Sequence, residues 1–369
     1  MDRVDEARRP PAGRRFRIQY CLGSGGFGDV YRATMIGSGG VETDVALKML
    51  HNALKKDGRS VRRLRDEGRM LGALNHPSIL HIHDLVVLSG RVALVTEYVP
   101  GEDLSRCLNQ MPESVALEVL ARVADALSTA WAARSPDGEP LSLIHRDIKP
   151  SNIRMGRHGQ VKVLDFGIAK AHNVERESHT AANSVVGSFL YMAPERFDNR
   201  GDTPASDVFS MGCILYEALA GQRLYAKMSA KSLYLLAMSD ENHANHTAES
   251  LDSLQGVAPE VMALLRQMLS YEEEERPPVE TLAHRLDDLA EGGTSVRKWA
   301  KRRDWPEDDE IDGELAGRVM SEHSVPIRSG TLESQTTEDT GVVTMVAVSV
   351  GSAIAALVAV AFVAWMWMG

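Results

Sequence analysis

Two carboxylates, a primary amide and a lysine fall close together in Leu143-Ile-His-Arg-Asp-Ile-Lys-Pro-Ser-Asn152 and Val161-Lys-Val-Leu-Asp-Phe-Gly167: Asp147, Asp165, Asn152 and Lys149. Phosphoryl transfer asks little covalent chemistry of a protein and much positioning and charge neutralisation. It needs a carboxylate to orient an acceptor hydroxyl, oxygen ligands for a divalent cation, and a cation beside the migrating group. The four side chains are of these types, with Asn152 and Asp165 thirteen positions apart. Either short motif alone carries little weight. Their order and spacing together point to phosphoryl transfer from a magnesium nucleotide.

Such groups work only if surrounding elements hold them. Leu22-Gly-Ser-Gly-Gly-Phe-Gly-Asp-Val30 reads as strand, turn, strand, with Gly23, Gly25 and Gly28 letting the backbone close over phosphates. A dinucleotide fingerprint would open a helix after its glycines, whereas Val30-Tyr31 continues as strand. Val45-Ala-Leu-Lys-Met-Leu50 is an apolar strand whose alternation puts Lys48 on the face of Ala46 and Leu50. Downstream, Glu67 shares one helical face with Leu64, Leu71 and Leu74. A charge in an apolar stripe is costly unless paired, so Lys48 and Glu67 are expected to pair.

These segments resemble the protein kinases. His145-Arg-Asp-Ile-Lys-Pro-Ser-Asn152 and Asp165-Phe-Gly-Ile-Ala-Lys170 are similar to the bacterial eukaryotic-like (Hanks-type) serine/threonine kinases. The resemblance covers residues 15–290, roughly three quarters of the chain. It implies an α+β bilobal fold: a β-rich N-lobe at about 15–97, a helical C-lobe at about 101–290, and ATP in the cleft between them. Asp147 is implied to orient the acceptor hydroxyl and Lys149 to meet the migrating phosphoryl group. Asn152 and Asp165 would hold Mg2+, with Mn2+ as a possible substitute. Lys48, paired with Glu67, would hold the α- and β-phosphates. The glycine-rich run of Leu22, Gly23, Ser24, Gly25, Gly26, Phe27 and Gly28, with Val30 and Ala46, would enclose the nucleotide. The backbone from Glu97 to Val99 would meet the adenine edge, with Thr96 gating the pocket behind it.

Gly187-Ser-Phe-Leu-Tyr-Met-Ala-Pro-Glu195 resembles the end of an activation segment, with Ser188 where serine/threonine-specific members usually carry Thr. Lys149 likewise favours serine/threonine specificity. Glu195 is expected to pair with Arg276, and Asp207 to open a core helix and tie down the catalytic-loop backbone. Arg146 is the expected receiver of an activation-segment phosphate on Ser178, Thr180 or Ser184. The chain departs from the family pattern at a turn-rich insertion, Ala133-Arg-Ser-Pro-Asp-Gly-Glu-Pro140, and over 228–247, which is hard to align.

Of the net charge of −10, eleven acidic residues against Arg318 and Arg328 place −9 between Asp304 and Asp339. Residues 297–340 therefore read as an acidic, disordered juxtamembrane linker. The catalytic unit is expected to be complete in a fragment ending at Arg303. Residues 342–368 carry no charge and are long enough for one transmembrane helix, since about 20 apolar helical residues span a bilayer. Trp365 and Trp367 would lie at the far interface. Gly351 and Ala355 are compatible with helix pairing, so dimerisation remains open. The charged stretch from Met1 to Arg17 lacks the apolar core of a signal peptide, and residues 1–14 read as a tail. The expected molecule is single-pass and tail-anchored in the cell membrane, with its kinase domain in the cytoplasm where ATP is. Its expected partners are protein substrates and itself in trans, and no charge pattern suggests nucleic acid. Cys21, Cys107 and Cys213 are too few and scattered for a disulfide framework or zinc site. A nucleotide-binding membrane scaffold with little catalysis is the competing reading. Intact Lys48, Asp147, Asn152 and Asp165 favour catalysis.

Overall fold

A computed structural model describes residues 13–25, 28–37, 39–50, 72, 74–135, 137–166, 189–198, 202–226, 228–307 and 313–322. Gly26, Phe27, Glu67, Ser178, Thr180, Ser184, Ser188 and the span 342–368 lie outside the described residues. Among the described residues, no helix is long and apolar enough to cross a membrane.

The N-lobe is an antiparallel sheet of β1 (Arg15–Gly25), β2 (Gly28–Ile36), β3 (Glu42–Leu50), β4 (Ile82–Leu88) and β5 (Arg91–Glu97). The two-residue period of a strand divides β3 cleanly. Val45, Leu47 and Met49 enter the core with Phe16, Ile18 and Tyr31, while Ala46 and Lys48 face the cleft. In the C-lobe, β6 (Gly101–Asp103), β7 (Ile153–Gly156) and β8 (Val161–Val163) form a second, three-stranded sheet. The catalytic loop runs into β7, and Asp165 follows β8 directly. The short helix α1 (Leu104–Cys107) leads to α2 (Glu113–Ala132), which carries buried residues on most of its circumference and forms the centre of the lobe.

After α3 (Pro194–Phe197), helix α4 (Pro204–Ala220) opens on a proline, whose missing N–H costs nothing in the first turn. It closes on Gly221 at φ +69°, which donates its N–H to the Glu217 carbonyl at 2.9 Å. The hard-to-align stretch folds into α5 (Ala230–Ala237) and α6 (Asp240–Asp252). Ser229 and Ser239 cap them by accepting the N–H groups of Ser232 and Asn242. The insertion at 133–140 is a small surface hairpin closed by Leu141 N–H on the Ala133 carbonyl at 2.8 Å.

Helices α7 (Pro259–Met268) and α8 (Val279–Ala290) complete the expected domain, but order continues beyond it. The linker reading of 297–340 needs correction over 297–307 and 313–322. Helix α9 (Val296–Arg302) buries Val296, Trp299 and Ala300 in the C-lobe core, and its first N–H meets the Glu118 carboxylate at 2.6 Å. Strand β9 (Val319–Ser321) pairs antiparallel with β1, giving a six-stranded sheet in the order β4-β5-β3-β2-β1-β9. Leu315 and Met320 are buried in the N-lobe core. Each segment buries only two or three apolar residues, and those suffice because each finds a preformed core or sheet edge. A fragment ending at Arg303 removes a strand of the N-lobe, so one ending after Glu322 is the better catalytic unit.

His243 on α6 is buried among Phe209, Tyr271 and Tyr225, whose hydroxyl lies 3.1 Å from His243 Nε2. Burial, followed by the nearby Arg276 and His246, pushes its pKa down to about 4. Because the folded value lies below the unfolded one, His243 contributes stability fully above about pH 6.5, and that stability is lost as pH falls towards 4. We expect stability to drop by about 2 kcal/mol between pH 7 and 5 from this group. His243→Gln should flatten that part of the profile in urea unfolding; an unchanged slope would assign the acid sensitivity elsewhere.

Candidate active site

A cavity of about 320 Å3 lies between the lobes, with Leu22, Val30 and Ala46 above it, Thr96 to Val99 along one side, and Lys48 and Asp165 at the inner end. Its walls come from β1, β2, β3 and β5, from the segment after β8, and from the catalytic loop. Gly23 lines it and has open space where a Cβ would stand. Gly28 carries a constraint that the sequence reading did not name. A Cβ there would collide with the Met49 backbone carbonyl of β3, so this glycine serves close strand packing. Ser24 is exposed and Gly25 pairs with Gly28 at the hairpin end.

Helix α4 and β8 together set the catalytic loop. Asp207, buried in the first turn of α4, accepts the N–H groups of His145 and Arg146 at 2.9 and 3.0 Å. Burial pushes the Asp207 carboxyl up against the pull of His145 and these two donors. The anchored loop turns at Arg146, which holds φ +69°. His145 is buried, its Nε2 2.6 Å from the Leu164 carbonyl, its Nδ1 accepting the Asp147 N–H, and its ring against Phe166. The loop is thereby tied to the segment carrying Asp165.

At the loop's working end, Asp147 accepts Lys149 Nζ at 3.0 Å and Asn152 Nδ2 at 3.0 Å. Asn152 Nδ2 also donates to the Asp147 carbonyl at 2.7 Å, which leaves its side-chain oxygen for a cation. Asp165 sits at φ +50°, and its Oδ1 lies 2.6 Å from Lys48 Nζ. Lys48 thus meets Asp165 here; its expected partner Glu67 lies outside the described residues. One carboxylate and one amide oxygen are hard donors of the kind Mg2+ takes when substrate phosphates complete its shell, and they also accept Mn2+. Among the described residues there is no cluster of three or more His, Cys, Asp or Glu side chains able to hold a metal by itself.

At the hinge, Thr96 is buried and donates its hydroxyl to the Glu97 carbonyl at 3.2 Å. The Glu97 side chain is taken up by Lys162 at 2.6 Å and by the His81 N–H at 2.8 Å. Arg154 donates to the Val99 carbonyl at 3.2 Å and to Asp103 at 3.0 Å. The Val99 N–H has no partner among the described residues, which suits it to the adenine edge. Lys162 and Arg154 escaped sequence reasoning because each is one basic residue on a short strand, and only the fold brings it to the hinge.

Glu195 and Arg276 form the expected buried pair, bidentate at 2.7 and 2.9 Å. Arg146 rests on Asp202 at 2.9 Å, beside Arg196, which meets the same carboxylate at 2.8 Å. The positively charged corner expected to receive a phosphate therefore holds an internal carboxylate in this conformation.

The family described as the protein kinase domain matches residues 16–286, and the chain belongs to that family. Among similar curated proteins, the tyrosine-protein kinase MasK of Myxococcus xanthus is 33% identical over 274 residues, covering 72% of this chain and 41% of the relative. The serine/threonine-protein kinase PknA of Mycobacterium tuberculosis is 38% identical over 220 residues, covering 58% of this chain and 48% of the relative. PkaA of Streptomyces coelicolor, named a serine/threonine-protein kinase, is 32% identical over 297 residues, covering 76% and 51%. The chain spans about half or less of the length of these relatives.

Proposed function

We propose that the protein transfers the γ-phosphoryl group of ATP to serine or threonine hydroxyls of proteins, itself in trans included. The observation that carries this reading is the Asp147 carboxylate, held by Lys149 and Asn152 in a loop tied through His145 to Asp165. The acceptor oxygen would attack the γ-phosphorus as the bond to the β–γ bridging oxygen breaks. Its proton passes to Asp147, and ADP leaves. Lys149 would neutralise charge on the migrating group, and Lys48 would steady the phosphates of the donor. Asn152 and Asp165 would hold Mg2+, whose role is charge neutralisation on the phosphates.

Similarity to relatives named serine/threonine-protein kinases supports the hydroxyl class, as does Lys149 in the catalytic loop. One relative is named a tyrosine-protein kinase, so phosphoamino-acid analysis is the direct test. Phosphoserine or phosphothreonine supports the proposal, and phosphotyrosine alone overturns its acceptor class.

We also propose that residues 342–368 hold the kinase unit at the cell membrane, on the side that contains ATP. The support is their charge-free composition and length. Deleting 341–369 should move the protein from the membrane fraction to the soluble fraction with transfer activity retained. A deleted form that still floats with lipid vesicles would contradict the anchor.

A further inference from the structure

The C-terminal extension reaches the cleft itself. Leaving α9, Arg303 enters a partly buried ion pair with Glu102 of β6, Nε to Oε1 at 2.8 Å, and donates to Gln110 at 2.6 Å. Its guanidinium lies 5.3 and 5.5 Å from the ring centres of Trp299 and Trp305. Trp305 donates Nε1 to the Ala300 carbonyl at 2.7 Å, and Arg157 donates to the Pro306 carbonyl at 2.8 Å. The Arg157 N–H in turn meets the carbonyl of Pro100 in the hinge at 3.0 Å. So fixed, Pro306 and Glu307 line the mouth of the cavity together with Glu102 and Asp103. Glu102 and Asp103 are both engaged by arginines, whereas Glu307 is exposed and has no partner among the described residues.

The extension is held a second time on the other lobe. The Ile18 N–H meets the Arg318 carbonyl at 2.9 Å, the Glu322 N–H meets the Arg14 carbonyl at 3.0 Å, and Arg14 pairs with both Glu322 and Asp84. Gly313 lies so close to Tyr31 and Cys21 that a Cβ would overlap them. Six residue steps separate Glu307 from Gly313, so their Cα atoms cannot part by more than about 22 Å. A wall fixed to the hinge and leashed to the glycine-rich hairpin stays at the cleft as the lobes move.

We propose that Pro306 and Glu307 are nucleotide-binding residues contributed by this extension. They close the outer wall beside the nucleoside end of bound ATP, Pro306 by apolar contact and Glu307 by accepting a hydrogen bond from the nucleoside. This rests on the cleft being the nucleotide site, as proposed above.

The test is calorimetric binding of Mg·ADP and of adenosine to the full-length protein and to a Pro306→Gly/Glu307→Ala variant. Both side chains are exposed, so unliganded melting should be unchanged. Loss of one net hydrogen bond and its contact weakens binding by about three- to tenfold, and the loss should be similar for both probes. Glu314→Gln, on the same extension but facing Arg91, should bind as the parent does. Parental affinity in the double variant, or a loss confined to ADP, overturns the proposal. Phosphoryl transfer by the parent protein is assayed separately. Absent transfer with a nucleotide affinity that still depends on Pro306 and Glu307 refutes the kinase reading and leaves the wall intact. A parent that binds neither probe refutes both.

Discussion

Asp147→Asn should lower phosphoryl transfer by about 10²- to 10⁴-fold, the usual worth of a positioned general base, while nucleotide affinity changes little. The asparagine oxygen can still accept one hydrogen bond from Lys149 or Asn152, so the loop should keep its shape. An amide cannot take the proton of the acceptor hydroxyl. Asp165→Asn is the informative contrast, because Asp165 holds Lys48 at 2.6 Å and lines the cleft. Losing that charge should weaken Mg·ATP binding as well as transfer. Turnover and Mg·ADP affinity measured on both variants check the division. Equal loss of nucleotide affinity in the two would contradict it.

Arg276→Met should cost about 3–5 kcal/mol of stability, because it strands a buried carboxylate. Glu195 is 1% exposed and Arg276 4%. Burial alone would raise the Glu195 carboxyl, but Arg276 overrides it and holds the group below its usual range. Arg276 also donates to the carbonyls of Ser270, Tyr271 and Ala205 and lies over the Phe209 ring. The side chain therefore joins the end of the activation segment to the base of α4. Replacing Glu195 by Leu in the Arg276→Met background should recover part of the loss, since no buried charge then remains unpaired. Urea unfolding of the single and double variants measures both effects. A single variant within about 1 kcal/mol of the parent would show that losing Arg276 leaves no uncompensated buried charge on Glu195.

Much of the site was legible because its chemistry is local in sequence. Asp147, Lys149 and Asn152 share one loop, and Asp165 follows the strand that pairs with the loop's exit. Glu195 with Arg276, and Asp207 with the loop backbone, were legible only through the resemblance to the kinases, because partners 81 and about 61 positions apart leave no local pattern. At Gly28 the close approach of β3 is a further demand that sequence reasoning missed, since a neighbouring strand leaves no mark on the hairpin's own residues. The extension was misread for a physical reason. Its composition, basic up to Arg303 and acidic from Asp304, is that of a solvated chain, yet Trp299, Leu315 and Met320 suffice when a finished core offers each a place. Edge pairing of β9 with β1 is a long-range event that no local pattern announces. Lys162 and Arg154, which brace the hinge, are in the same position.

The most direct test of the central claim is incubation of the full-length protein with Mg2+ and ATP labelled in parallel at the γ- or the α-phosphate, followed by acid hydrolysis of the protein. The cleft and catalytic loop predict γ-label on serine or threonine, no α-label, and loss of the signal in Asp147→Asn. Incorporation of α-label, or no incorporation into the protein or a generic protein substrate while Mg·ADP still binds, would contradict it.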